Sequence, residues 1–320
     1  MELIRCADRA QMDVLQQTGG VWKGSAGKWH TRNSWMLEKK GELTENECLV
    51  VISSHHPKLD IEWVRDEKTG IDYPYLKKDL DTSWLKHIED HMSRPPVCVL
   101  MNTSIIDDKW CRRSIKPFLS KEDEVAVLAF SFYDDTKTLD DWNRQYEPGR
   151  GIWYRANTDV FKWFGIPAGQ VHWINYFTHT PAQMRNILAN CSVVLYTGGA
   201  PDLMMKRIRE KKLQSILKKW QGTVMGYSAG AMIQLKEYHI TPDPDYPQFV
   251  WETGLGYTDQ FDIEVHYNKE RAQKEAIQRA LSQRNRPVYA IGEEGGIILK
   301  DGQIHEIFGE VELFEAKSEL

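Results

Sequence analysis

Cysteine is scarce and unpatterned in this chain. Five occur in 320 residues, at Cys6, Cys48, Cys98, Cys111 and Cys191, an odd and widely spaced set with no Cys-x-x-Cys pair. That excludes a disulfide framework and a zinc knuckle, and leads us to expect a reducing, cytoplasmic setting. Long apolar runs are missing too, since nothing approaches the ~20 apolar residues that span a bilayer. Met1 to Gln16 carries Glu2, Arg5, Asp8, Arg9 and Asp13 where a secretory signal needs an apolar core. A basic stripe is absent: the net charge is -5, and Lys and Arg are interspersed among Asp and Glu. Neither nucleic acid nor a membrane is therefore an expected partner. No repeat or low-complexity tract occurs. His87 and His91 lie four apart on a predicted helix, but no third ligand accompanies them, so no metal and no cofactor is expected.

What is present is enough apolar material, 41% of residues, for one substantial core and an accessory region. From about Cys98 onward, apolar strand-like runs alternate with helical patterns, which predicts an α/β fold on a mostly parallel sheet. Strands are predicted at Val97 to Met101, Val125 to Phe130, Val171 to Phe177, Ser192 to Tyr196, Thr223 to Met225 and Phe261 to Val265. The chain closes with Val288 to Ile291, Gly296 to Lys300, an Asp301-Gly302 turn and Ile304 to Phe308. Helices are predicted after the Thr180-Pro181 cap, through Leu213 to Trp220, and from about Asn268. Residues 1 to 93 break this alternation. They are rich in tryptophan (Trp22, Trp29, Trp35, Trp63 and Trp84), have a strand pattern at Leu49 to Ser53 and a helical one near Ser83 to Met92, and end at Arg94-Pro95-Pro96. We expect a mixed or β-rich accessory region over 1–93 and an α/β domain over 94–320.

Gly226-Tyr227-Ser228-Ala229-Gly230-Ala231 follows a short apolar strand and precedes an apolar segment. A serine on such a tight strand-to-helix turn occupies a strained backbone region, and its neighbours must be small. Ser228 is thus the expected nucleophile of a hydrolase. A serine hydroxyl needs a base beside it, and His266, at the end of the run Phe261 to Val265, shares the strand-end address of Ser228. Glu293 and Glu294 follow Val288 to Ile291, and either can orient the imidazole. Gly199, in the Gly198-Gly199 pair after Tyr196, and Ala229 are expected to supply two backbone oxyanion donors. Gly24-Ser25-Ala26-Gly27 imitates the serine turn but lacks a preceding strand, and His55-His56 before Pro57 is expected to be a loop.

These segments resemble the dipeptidase E and cyanophycinase family of serine peptidases, whose fold is similar to that of class I glutamine amidotransferases. The resemblance rests on Tyr196-Thr197-Gly198-Gly199, Gly226 to Ala231, Gly254-Leu255-Gly256 followed by Val265-His266-Tyr267, and Ala290-Ile291-Gly292-Glu293. It covers roughly residues 96 to 320. It implies a three-layer α/β sandwich and a peptidase acting on small peptides, such as aspartyl dipeptides or related isopeptides. Carried over by position, Ser228 is the nucleophile, His266 the base and Glu293 the orienting acid. Family members that cleave after aspartate are thought to hold the acidic side chain with an arginine near the histidine, a place taken here by Arg271. After Gly198-Gly199 the chain departs from its relatives with Ala200-Pro201-Asp202.

Two other functions compete. An α/β-hydrolase esterase needs the order nucleophile, acid, histidine, which here means Ser228, Asp262 and His305. A regulatory binding protein on the same fold would use the Trp-rich N-terminal region. An amidotransferase would need cysteine where Ser228 stands.

Overall fold

In a computed structural model, residues 95–315 are described throughout, and residues 1–94 only as the backbones of six strands. Two compact units divide the chain, Met1–Arg94 and Pro95–Leu320. The first contains β1 (Glu2–Cys6), β2 (Lys28–His30), β3 (Met36–Glu38), β4 (Cys48–Ile52), β5 (Ile61–Arg65) and β6 (Asp72–Leu76). Four of these form a sheet in the order β4-β1-β6-β5, and β2 and β3 pair with each other. The predicted helix near Ser83 to Met92, with His87 and His91, lies outside the described residues, as do the 24–27 glycine loop and the His55-His56 pair.

The second unit is built on an eight-stranded sheet. Its strands are β7 (Val97–Met101), β8 (Val125–Leu128), β9 (Val171–Trp173), β10 (Val193–Tyr196), β11 (Thr223–Tyr227), β14 (Asp262–Glu264), β15 (Val288–Lys300) and β16 (Gln303–Phe314). β12 (Glu237–Ile240) and β13 (Val250–Thr253) form a separate antiparallel pair. In the order β7-β11-β10-β8-β9, each neighbour is parallel to the next. Every residue of β8 and β10 is buried. This explains why both read as uninterrupted apolar runs: a parallel strand covered by helices on two sides has no polar face.

Alternate residues of the inner strands enter two distinct cores, as the two-residue period of a strand requires. Cys98, Leu100, Ala126, Leu128, Val194 and Tyr196 pack with Met184, Leu188, Met204, Ile208 and Leu217. Val99, Met101, Val125, Val127, Val193 and Leu195 pack with Ile115, Trp142, Tyr146, Phe161 and Phe164. Helices thus cover both faces of the mostly parallel sheet, giving the three-layer α/β sandwich expected from the sequence.

Local signals hold at several helix ends. Thr180 accepts from the backbone N–H of Gln183, whose side chain accepts from the N–H of Thr180, and Pro181 opens the helix Pro181–Ala189. The helix Pro201–Glu210, which no periodicity predicted, begins at the Ala200-Pro201-Asp202 departure. Predicted lengths needed correction elsewhere. The third strand stops at Trp173 because residues 174–178 turn, with Asn175 Oδ1 accepting from the N–H groups of Phe177 and Thr178. The runs Val288 to Ile291 and Gly296 to Lys300 are one strand, β15, irregular between Ile291 and Gly295. It returns through Asp301 (φ 52°) and Gly302 (φ 74°), both left-handed as in the tight hairpin turn that suits strand twist.

β15 also decides the geometry of the site. Its first residues run parallel to β14, and its last run antiparallel to β7. Along β15, β14 and β7 therefore approach with their carboxyl ends toward each other, and the irregularity falls between them.

Candidate active site

Ser228 follows β11 directly and adopts φ 53° and ψ -119°, outside the comfortable regions for a residue with a side chain. Its N–H donates to the Met101 carbonyl at 2.9 Å, which ties the turn to the end of β7. The turn is possible only because its flanks are glycines. A Cβ on Gly230 would lie 2.1 Å from the Tyr196 carbonyl oxygen, and one on Gly226 would lie 2.1 Å from that of Gly230. Ala229 is the first residue of a short helix, Ala229–Met232, so its N–H has no carbonyl one turn earlier to bond.

His266 comes two residues after β14 and also has a left-handed backbone, φ 52°. The imidazole Nδ1 and Glu293 Oε1 are 2.8 Å apart. Glu293 sits in the irregular stretch of β15, where extra residues re-aim side chains without ending the strand. With the histidine side chain 49% and the glutamate 63% exposed, water screens their attraction, so the pair orients the ring and adds little to stability. A carboxylate at Nδ1 favours the tautomer with the proton there, leaving the Nε2 lone pair to act as a base.

Two residues absent from the sequence reading hold this histidine in place. Asn102 is 2% exposed; its Oδ1 accepts from the His266 N–H at 2.8 Å and its amide donates to the Ile291 carbonyl at 2.8 Å. Gln273 donates to the His266 carbonyl at 2.8 Å. A third unforeseen residue, fully buried Ser131, shapes the glycine pair. Its hydroxyl donates to the Gly198 carbonyl at 2.5 Å, and its carbonyl accepts from the Ala200 N–H at 2.7 Å. Gly199 has φ 133°, and a Cβ there would lie 2.3 Å from the Ser131 oxygen, so no other residue fits. The sequence signal for Asn102 was its position, directly after β7 as Ser228 is directly after β11.

A cavity of about 390 Å³ has Ser228, His266 and Gly199 in its wall, together with Tyr133, Tyr246 and Asp243. Arg271 is not among its lining residues. Its guanidinium is 92% exposed and donates to Glu275 at 2.7 Å, so it has no part in the cavity as placed. Asp262 and His305 are not among the lining residues either. Asp262, fully buried, takes two hydrogen bonds from Arg286, and the His305 ring packs edge-on against Phe118. Glu294, the competitor of Glu293, is exposed on β15, and no bond to an imidazole is found for it among the described residues.

Among the described residues no group of three or more His, Cys, Asp or Glu is arranged to hold a metal ion, and no helix is long and apolar enough to cross a membrane.

Residues 155–307 match the family described as peptidase family S51. No curated protein matches the chain. Among solved structures, the chain is similar to a protein assigned as peptidase E from Listeria monocytogenes EGD-e, with 14% identity and a TM-score of 0.46 over 69% of this chain and 99% of that one. It is likewise similar to a peptidase from an acI-B1 Actinobacterium, with 14% identity and a TM-score of 0.44 over 70% and 96%.

Proposed function

With residues 155–307 matching peptidase family S51, we propose that the chain is a serine peptidase for small peptides, with Ser228 as nucleophile, His266 as general base and Glu293 as its orienting acid. One observation carries this reading: a strained Ser228 and a carboxylate-bonded His266 share the wall of one cavity. Ser228 Oγ attacks the substrate carbonyl carbon while His266 Nε2 takes the hydroxyl proton. The oxyanion receives hydrogen bonds from the backbone N–H groups of Gly199 and Ala229. Collapse of the tetrahedral intermediate breaks the C–N bond, and His266 returns the proton to the leaving amine. Water then hydrolyses the Ser228 ester, again losing its proton to His266.

The test is covalent labelling with a fluorophosphonate probe, read by intact mass. We expect one adduct on the native protein and none on Ser228→Ala. A native protein that stays unlabelled near neutral pH would end the proposal.

A further inference from the structure

Gly198 and Gly199 share one planar peptide, so the carbonyl of the first and the N–H of the second point in opposite directions. Ser131 grips the carbonyl end. Its hydroxyl donates to the Gly198 oxygen at 2.5 Å, and its own carbonyl accepts from the Ala200 N–H at 2.7 Å, so one residue fixes the peptides on both sides of the Gly199 Cα. The Gly199 N–H has no hydrogen-bond partner among the described residues, and Gly199 shares the cavity wall with Ser228. The direction of that free donor is therefore set by Ser131.

Ser131 stands three residues beyond the end of β8, outside the sheet ladder. Arg207 holds its neighbours. The guanidinium Nη1 donates to the Phe130 carbonyl at 2.8 Å and also to the Phe132 carbonyl, the two that flank that of Ser131. The guanidinium carbon lies 3.6 Å from the centre of the Phe132 ring. A planar guanidinium can stack on a ring while its edge donates, which the ammonium of a lysine cannot do. Arg207 is 7% exposed, and its one ion pair among the described residues is with Asp134, at 3.4 Å, whose side chain is 80% exposed. Burying a cation against so solvated a counter-charge costs free energy, and what it secures is the placement of residues 130–132. The connection closes on itself, because Arg207 belongs to the helix Pro201–Glu210, which begins two residues after Gly199.

We infer that Arg207 is a positioning residue for acyl transfer: by holding Ser131 it aims the Gly199 N–H at the oxyanion formed when Ser228 attacks. That role presupposes the serine peptidase reading, and it is measurable on the first chemical step alone.

The experiment is the rate at which a fluorophosphonate modifies Ser228, followed by intact mass over a range of probe concentrations, so that probe binding and the covalent step are separated. Native protein is compared with Arg207→Met, Arg207→Lys, Ser131→Ala and the double variant Arg207→Met with Ser131→Ala, each with its urea transition. Methionine keeps the length of the stem without donors, and neither replacement strands a buried carboxylate, since Asp134 is in water. The covalent step in Arg207→Met should slow by about ten- to a hundredfold with probe binding within about threefold of native, and Arg207→Lys should recover part of the loss. The double variant should be at most about twofold slower than the slower single one, because both residues act through the same peptide.

A role in folding alone would lower the urea midpoint and leave the covalent step of the folded protein unchanged. Positioning by Arg207 is refuted if both of its folded variants react within about twofold of the native rate, or if the losses at Arg207 and Ser131 multiply as those of independent sites do. Should the methionine variant not fold, the lysine variant and its double with Ser131→Ala decide by the same criteria. A native protein that stays unlabelled ends the peptidase reading and this role with it. A labelled native protein with unimpaired Arg207 variants keeps the peptidase and loses only the role of Arg207.

Discussion

Asn102 and His266 are 164 residues apart in sequence and joined by one hydrogen bond, 2.8 Å from the histidine N–H to the asparagine Oδ1. Because Asn102 also donates to Ile291, it couples the end of β7 to the ends of β14 and of the first segment of β15. The histidine's left-handed backbone is held by that bond and by Gln273.

Asn102→Leu, nearly isosteric but without the amide, should therefore lower kcat by about ten- to a hundredfold while fluorophosphonate still reaches Ser228 slowly. It leaves the His266 N–H without its acceptor, while the Ile291 carbonyl keeps the Tyr267 N–H, so about 1–3 kcal/mol of stability should also be lost in urea unfolding. Asn102→Asp keeps the acceptor for His266 and should retain more activity than the leucine variant. The reverse order would remove Asn102 from the positioning of His266.

Glu293→Gln should reduce kcat by about a hundredfold or more, because a neutral amide stabilises the imidazolium poorly and permits the wrong tautomer. Glu294→Gln should stay within about threefold of the native rate, since Glu294 makes no bond to the imidazole. Steady-state kinetics on a turned-over peptide decides it, and equal losses would leave the acid unassigned.

Gly230→Ala should be severe for folding. The new Cβ would sit 2.1 Å from the Tyr196 carbonyl, so β10 and the serine turn must separate. A loss of about 2–4 kcal/mol is expected from such overpacking against backbone, visible as a lowered urea midpoint.

The buried pair of Asp262 and Arg286 predicts a second stability effect. Arg286 donates at 3.0 and 2.6 Å to a carboxylate with no solvent exposure, so Arg286→Ala strands a charge and should cost about 3–5 kcal/mol. Arg286→Ala combined with Asp262→Ala should cost less than Arg286→Ala alone, because the stranded charge is gone.

The described thiols should be inert. Burial pushes Cys111 and Cys191 up to about 12 and Cys98 higher still, so at pH 8 about one molecule in ten thousand or fewer carries the thiolate at any of them. Iodoacetamide at pH 8 should leave all three unmodified in the native protein, as peptide mapping would show, and modify them in denaturant. Rapid native alkylation of Cys98 would contradict its placement in the core.

Much of the sheet was legible because its chemistry is local. Val125 to Leu128 and Val193 to Tyr196 are apolar without alternation, which only a doubly covered strand needs, and Thr180-Pro181 with Gln183 spells a helix start in four residues. Glycines around Ser228 announced the turn before its dihedral angles were known. The lengths of β9 and β15 were not legible, since Asn175 side-chain bonds end one strand and pairing with distant partners carries the other through Glu293 and Glu294.

By itself the sequence determined which residue types were available at strand ends: a serine between glycines, a histidine after an apolar run and a glutamate after another. Local propensity and two-residue periodicity suffice for that. Only the tertiary structure decided that Glu293 meets His266, and that Asn102 and Ser131 hold the turns. Those relations join positions far apart in the chain, through pairing and packing that no local pattern encodes.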